Sequence, residues 1–299
     1  MYSEIASNKR KSILLASLFI AVIILLGWIF DQVYVGGKSY TGIIIAIFLS
    51  FGLTAISYFQ GDKIALLTTG AKLLEHDENQ RVYHLVENLC IASGTPIPKI
   101  YLIEDPAINA FATGRKPEIA SIALTRGAIE KLTDNELEGV IAHELSHIKN
   151  YDIRFMMLVA VMVGSISILA NILLRSGGLT RGKGGNDREG GSQLFAILMI
   201  VGIVLAILSP LIAELIKLAI SRRREFLADA SGALLTRYPE GLARALEKIS
   251  AEAKPMRTAS SATAHLFIAS PFSAKSFSKL FSTHPPVEER IKKLRTMGA

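Results

Sequence analysis

Residues 137 to 149 read LEGVIAHELSHIK, with the motif HELSH at positions 143 to 147. On an α-helix, His143 and His147 differ by about 40° of rotation and one turn of rise, so both imidazoles can bind one metal ion. Glu144 lies beside His143, where a carboxylate need not bind the metal and can accept a proton from a water at it. The motif therefore predicts hydrolytic chemistry at a metal ion.

A capping box begins the helix that carries this motif. Thr133 is followed three residues later by Glu136, the spacing at which each side chain accepts a hydrogen bond from the backbone N–H of the other. The helix therefore starts just before the two histidines and gives them the regular structure that a shared ion requires. The alternative is an ordinary helix with two surface histidines, which the later motifs make much less favourable.

The composition indicates an integral membrane protein. Half of the 299 residues are hydrophobic and 20% are charged, and the mean hydropathy is +0.38, which is high for a soluble protein. Four apolar blocks, each near the length needed to cross a bilayer, lie at 12–30, 41–60, 155–174 and 193–220. We predict four transmembrane helices, with the first block kept as an anchor because no small-residue cleavage site follows it. For the last two blocks, a shallow re-entrant hairpin is an alternative.

The basic residues indicate which side of the membrane the soluble parts occupy. The net charge is +7, and basic clusters lie beside the apolar blocks at 9–11 and 222–224. Such clusters mark cytoplasmic ends of spans, so we expect a cytoplasmic catalytic part and no nucleic-acid partner. A single cysteine, Cys90, excludes an intrachain disulfide and fits a reducing compartment. Its position in an apolar helical pattern favours a buried core thiol over a reactive one.

The sequence divides into four parts. These are a two-helix membrane anchor at 1–60, the first part of a catalytic domain at 61–154, a transmembrane hairpin at 155–220 and the second part of the catalytic domain at 221–299. Residues 175–192, inside the hairpin, contain the spacing GxxxxGK, but Gly184 stands where a phosphate loop needs Ser or Thr. We predict a flexible external linker there. The fold class is α+β and mainly helical, with a small β-sheet in the catalytic domain.

Three short strand patterns lie between the anchor and the motif helix, at 100–103, 109–113 and 119–125. A small sheet beside a hydrolytic helix can hold an extended peptide by strand addition at its edge, or it can simply form part of the core. Further helices are predicted at 79–92, 222–235, 242–253 and 286–297.

A catalytic zinc site needs one more protein ligand, because its fourth position holds water. Glu225 begins the soluble segment after the fourth apolar block, and Asp229 follows one turn later, where it can accept a hydrogen bond from a ligand imidazole. If the motif helix runs on into the third block, His147 and Glu225 lie about 12 and 8 Å from their blocks, at 1.5 Å per residue. Both would then meet roughly 10 Å above the hydrocarbon. On spacing alone, a solvated acid paired with the neighbouring arginines is an equally good interpretation of Glu225.

Three motifs in order resemble one family. HELSH, then SRRREFLADA at 221–230 and STHPP at 282–286, with the four apolar blocks, are similar to the HtpX-type membrane zinc endopeptidases, relatives of the CAAX-prenyl endoprotease. The likeness covers nearly the whole chain. It implies a gluzincin-type catalytic domain in which one Zn²⁺ ion is bound by His143, His147 and Glu225. Glu144 is then the general base, and Asp229 supports a ligand imidazole.

The resemblance also implies roles that spacing does not assign. His284 matches the family's residue that donates to the oxyanion of the transition state; without the resemblance, a cap before a proline-started helix would be the better interpretation. Asn109, Ala110 and Phe111 match the family's substrate-binding edge strand, with Asn109 contacting the peptide backbone. The remaining histidines match no catalytic position and are interpreted as structural: His76, His84 and His265.

We therefore expect, as the resemblance implies, a membrane-anchored zinc metalloendopeptidase that cleaves membrane proteins, above all misfolded or damaged ones, in protein quality control under stress. Its partners would be the bilayer and unfolded polypeptides. It would be a multi-pass protein of the cell (inner) membrane with a cytoplasmic catalytic domain. One rival is a non-catalytic membrane adaptor with structural zinc, which has no use for a base at Glu144. The other rival is a protease confined to prenylated peptides. Four spans are few for enclosing an intramembrane chamber, so this rival ranks lower.

Overall fold

The computed structural model describes residues 2–34, 39–162, 164, 222–252, 255–257, 260, 263–272 and 285–298. Most of the third apolar block, the fourth block, the linker 175–192 and His284 lie outside these ranges. The predictions of a third and a fourth transmembrane helix therefore stay predictions.

Two long apolar helices lie where the membrane anchor is predicted: α1, Tyr2–Tyr34, and α2, Thr41–Thr68. Their candidate spans have mean hydropathies of 2.7 and 2.1, and both are long enough to cross a bilayer. The helices pack closely, since a Cβ on Gly27 would come within 2.5 Å of the Gly42 carbonyl oxygen. Asp31 caps the start of α2 by accepting from the backbone N–H of Gly42 at 2.8 Å.

A four-stranded mixed sheet follows the anchor, in the order β1-β2-β4-β3. Its strands are β1 (Lys72–Leu73), β2 (Lys99–Ile103), β3 (Ala110–Thr113) and β4 (Ser121–Thr125). The three predicted strands are confirmed, and the two-residue β1 is too short for any periodicity to predict. Strand β4 pairs parallel with β2 and antiparallel with β3. Strand β3 therefore lies at one edge of the sheet.

Six further helices have defined bounds in the described part of the chain. They are α3 (Gln80–Ser93), α4 (Arg126–Lys131), α5 (Asp134–Lys149), α6 (Arg222–Thr236), α7 (Pro239–Glu252) and α8 (Val287–Met297). The predicted helices are confirmed to within a few residues at each end, and Thr133 and Glu136 form the predicted capping box of α5. Cys90 is a buried free thiol on α3, as predicted, and burial raises its pKa to about 11.

The motif helix α5 lies at the centre of the domain and packs against α6, α7 and β3. Two glycines permit this close packing. A Cβ on Gly139 of α5 would come within 2.7 Å of the backbone nitrogen of Leu242. A Cβ on Gly232 of α6 would come within 3.0 Å of the backbone nitrogen of His143. The backbone of α6 therefore approaches α5 directly at the first histidine of the motif.

The motif helix does not run on into the third apolar block. It ends at Lys149, Tyr151 takes a left-handed backbone conformation with a φ of 60°, and helical residues resume at 152. A positive φ is uncommon outside glycine and stops a right-handed helix. The assumption of a continuous helix is therefore wrong, and the height of the site above the hydrocarbon that was calculated from it loses its basis. The break turns Asp152 back towards α5.

Residues 267–269 lie along the edge of the sheet, and His265, just before them in the chain, is buried. Its Nε2 lies 3.0 Å from the carbonyl oxygen of Met156, and among the described residues its Nδ1 has no hydrogen-bond partner. Burial lowers the pKa of His265 to about 4; the bond to Met156 opposes this shift and the charge of Arg224 adds to it. The ring is therefore neutral at pH 7, in agreement with a structural role.

We expect the stability of the protein to fall in weakly acidic solution because of His265. The pKa of about 4 in the folded protein lies below the ordinary 6.5, so the contribution of the neutral ring is fully present above pH 6.5 and is lost as the pH falls towards 4. The loss is of order 3 kcal/mol. His265→Gln, whose amide can still donate to Met156, should flatten the decline of the melting temperature between pH 7 and pH 4.5. Exposed His84→Gln is the control, and identical slopes for both variants would refute the role of His265.

Candidate metal centre

Three buried side chains from two helices converge at one point. Nε2 of His143 lies 3.2 Å from Nε2 of His147. The carboxylate of Glu225 on α6 lies 3.8 Å from the first nitrogen through Oε2 and 3.7 Å from the second through Oε1. One ligand atom from each residue falls within 4.8 Å of the others. The structure thus brings together the three residues predicted to bind the ion.

These distances fit a metal ion. Two nitrogens bound to a tetrahedral zinc at about 2.05 Å lie roughly 3.3 Å apart, close to the observed separation. In each imidazole, Nδ1 faces a carboxylate that can accept its proton, so in the neutral ring Nε2 can bind an ion. Two lone pairs and a carboxylate then face one another in a dry site, an arrangement that a bound cation stabilises. The donor set of two imidazoles and one carboxylate is one that zinc favours.

The outer nitrogen of His143 faces Asp229, which is in turn bound by Arg290. Nδ1 of His143 lies 2.9 Å from Oδ1 of Asp229. Arg290 of α8, which is fully buried, donates to both carboxylate oxygens of Asp229, at 2.7 and 2.8 Å. Burial alone would raise the pKa of Asp229, but the charge and hydrogen bonds of Arg290 hold it well below its usual range. Asp229 therefore stays ionised and lies where it can orient His143; that role stays a prediction.

The outer nitrogen of His147 is held by a residue that the sequence did not indicate. Nδ1 of His147 lies 3.1 Å from Oδ2 of Asp152, which is also buried. Burial alone would lower the pKa of His147, but the hydrogen bond with Asp152 and the carboxylates of Glu225, Asp152 and Glu144 raise it to about 9. Each imidazole thus has its own carboxylate partner, which is the usual support of metal-binding histidines.

Glu144 lies beside the proposed ion and against β3. It is buried, and burial raises its pKa, although its interactions with His143 and His147 oppose this shift. One of its interactions is a hydrogen bond with the backbone of Ala112 in β3. Among the described residues, its Oε2 has no hydrogen-bond partner. This oxygen is therefore available to a water at the site.

The predicted substrate strand contacts the protein's own backbone. The side chain of Asn109 donates to the carbonyl oxygen of Ala269 at 3.1 Å and accepts from the backbone N–H of Ala110 at 3.1 Å. The carbonyl oxygen of Ala110 accepts from Ile268 at 2.9 Å, and Phe111 pairs antiparallel with Phe267. Residues 267–269 thus lie along the edge of β3 at 109–111.

Sequence reasoning missed Asp152 and Arg290. Asp152 lies five residues after His147, a spacing that would not return to the same helix face without the break at Tyr151. Arg290 lies on the predicted terminal helix, where a charged residue is normally interpreted as exposed, and a buried arginine has no local signal. The predicted oxyanion donor, His284, lies outside the described residues, a short distance before α8 in the sequence.

Comparison with known proteins assigns the family. The model of peptidase family M48 matches residues 76–298, which include every element of the site. The chain therefore belongs to peptidase family M48.

Its relatives are named HtpX homologs. A protease HtpX homolog from Tropheryma whipplei (strain Twist) is 43% identical over 298 residues, covering 100% of this chain and 99% of its own. One from Caldanaerobacter subterraneus subsp. tengcongensis is 44% identical over 299 residues, covering 99% and 98%. The resemblance inferred from the motifs is confirmed. With the buried His-His-Glu cluster and the two candidate membrane helices, these relatives define a membrane metalloprotease.

A solved structure shares the fold. The crystal structure of S. mikatae Ste24p matches 98% of this chain and 66% of that longer chain, with a TM-score of 0.50 and 21% identity. At this identity the match concerns the fold alone.

Proposed function

We propose that the protein is a zinc-dependent endopeptidase of the membrane, acting on misfolded or damaged membrane proteins. The observation that carries the proposal is the buried cluster of His143, His147 and Glu225 with Glu144 directly beside it. A structural zinc site is closed by four protein ligands, whereas this cluster offers three among the described residues and adds a base.

The chemistry divides between the ion and the protein. Zinc, when bound, would lower the pKa of a water to about 7 and polarise the scissile carbonyl. Glu144 takes the proton of that water and later delivers it to the leaving amine, for which its raised pKa is suited. Asp229 and Asp152 keep the two imidazoles oriented throughout. His284 is proposed to donate to the oxyanion. No covalent intermediate is needed.

We infer that the substrate lies extended along β3 beyond residues 109–111. Backbone groups of alternate residues point to the same edge of a strand, and the outward carbonyl of Ala110 is bonded to Ile268. The next outward residue is Ala112, whose backbone also contacts Glu144. A peptide paired with Ala112 would therefore bring its scissile bond to the base. Asn109, Ala110 and Phe111 then act by holding residues 267–269, which limit the substrate on that side.

The proposed location is the cell (inner) membrane, with several spans and the catalytic domain in the cytoplasm. Two candidate spans and the basic cluster at 9–11 support it, because basic residues favour the cytoplasmic end of a span. Asn8, next to this cluster, contacts the end of the motif helix. The metal site would thus lie close to the membrane surface, where polypeptides emerging from the bilayer can reach it.

The full-length protein purified in detergent should cleave an unprenylated unfolded protein such as reduced casein. Cleavage should stop after treatment with a zinc chelator and return on adding one equivalent of Zn²⁺, but not of Mg²⁺. Cleavage restricted to prenylated peptides would instead support the prenyl-specific rival. A zinc-loaded protein that cleaves neither substrate would support the non-catalytic adaptor.

A further inference from the structure

We propose that Asn8, near the start of the anchor helix α1, is a positioning residue for the metal ligand His147 and acts through Asp152. The proposal rests on the metal site described above. It assigns the first membrane helix a role in metal binding in addition to anchoring the chain.

The side chain of Asn8 is buried against the turn that ends the motif helix. It is 1% exposed, and its Nδ2 donates to Oδ1 of Asp152 at 2.7 Å and to the carbonyl oxygen of Asn150 at 2.9 Å. Between these two acceptors lies Tyr151 in its left-handed conformation. The neighbouring Lys9 places its Nζ 4.5 Å from the centre of the Tyr151 ring. The start of α1 thus contacts each residue of the turn 150–152.

The contact with Asp152 bears on the metal site because the two oxygens of that carboxylate have separate partners. Oδ2 faces Nδ1 of His147 at 3.1 Å, and Oδ1 receives the hydrogen bond of Asn8. Oδ1 also lies 3.7 Å from Nη1 of Arg224 on α6. Asn8 is the shorter contact, so it fixes the rotation of the carboxylate. Without it, attraction to Arg224 would turn the carboxylate and move Oδ2 away from His147.

The two imidazoles are therefore supported in parallel ways from different parts of the chain. Asp229 behind His143 is held by Arg290 of the last helix, and Asp152 behind His147 is held by Asn8 of the first. An amide is suited to the second position because it donates to the carboxylate without adding charge. A shift of α1 relative to the domain would then alter the orientation of a metal ligand.

The test uses full-length protein in detergent with the variants Asn8→Leu, which removes the donor at similar volume, and Asn8→Ala. Loss of partners that orient metal ligands weakens metal affinity 10- to 100-fold, so we expect about a tenfold weaker zinc affinity by chelator competition for both variants. The d–d absorption spectrum of the Co²⁺-substituted protein should also shift, since it reports ligand geometry. Ser12→Ala is the matched control: Ser12 lies one turn along α1, is 2% exposed and donates only to the carbonyl oxygen of Asn8 among the described residues. It should leave affinity and spectrum unchanged.

A purely structural role for Asn8 predicts a different result. It would lower the melting temperature of the metal-free variants while folded protein kept the wild-type zinc affinity and Co²⁺ spectrum, and that outcome would overturn the proposal. Wild-type protein that fails to bind zinc at all would instead overturn the proposed function. The two failures are therefore distinguishable.

Discussion

Glu144→Gln should lower kcat on an unfolded-protein substrate roughly 10²- to 10⁴-fold, the range attributed to a general base. The amide keeps the shape of the side chain and cannot accept a proton. Because Glu144 is not one of the three converging ligands, the variant should retain its zinc. The measurement is kcat and metal content on the same purified sample.

Glu138→Gln supplies the matched control, since it makes the same change on the same helix at a partly buried position away from the ligands. It should leave both quantities near the wild-type values. Wild-type turnover by zinc-loaded Glu144→Gln would exclude Glu144 as the base, whatever the fate of the metal site.

Glu225→Ala should weaken zinc binding by more than about 100-fold, the upper end of the loss seen when only a supporting residue is removed. It deletes one of three ligands and the only carboxylate among them. It also leaves Arg290, whose Nη1 lies 3.9 Å from Oε2 of Glu225, without that opposing charge beside the ion. Chelator competition measures the affinity, and proteolysis should be lost together with the metal.

Two further variants separate ligand loss from general damage. Glu225→Gln keeps the volume and removes the charge, and it should bind zinc between wild type and Glu225→Ala. Glu240→Ala removes a carboxylate of α7 that pairs with Arg295 and Arg244 and is not part of the converging cluster. It should leave zinc affinity unchanged.

Local sequence patterns predicted the elements that build the site. The capping box at Thr133 and Glu136 placed the start of α5 correctly, because caps depend on neighbouring residues. The short strand patterns at 100–103, 109–113 and 119–125 placed β2, β3 and β4 for the same reason. The four-residue spacing of His143 and His147 placed them on one helix face. These features depend on interactions within one element, which a single sequence records.

The end of the motif helix could not be predicted in the same way. Nothing in the sequence Lys149-Asn150-Tyr151 requires a positive φ, since no glycine is present. The turn is fixed by contacts with α1, which come from Asn8 and Lys9 far earlier in the chain. A continuous helix was therefore the local expectation, and Asp152 remained unnoticed.

The supporting residues depend on contacts between distant parts of the chain. Arg290 and Asp229 are 61 residues apart, and Asn8 and Asp152 are 144 apart. The edge of β3 also depends on such a contact, because the pairing of Phe111 with Phe267 joins two distant segments that share no sequence pattern. Tertiary contacts of this kind determine how the ligands are oriented, whereas the ligands themselves were found from motifs.

The most direct test of the proposed metal centre is the zinc content of Glu225→Ala beside that of the wild type and Glu144→Gln. All three would be purified in the same detergent and dialysed against the same limiting free zinc, and metal and protein would be quantified on each sample. The proposed site predicts about one zinc per chain for the wild type and Glu144→Gln, and almost none for Glu225→Ala. Equal zinc in all three would contradict the assignment of Glu225 as the ligand that joins His143 and His147.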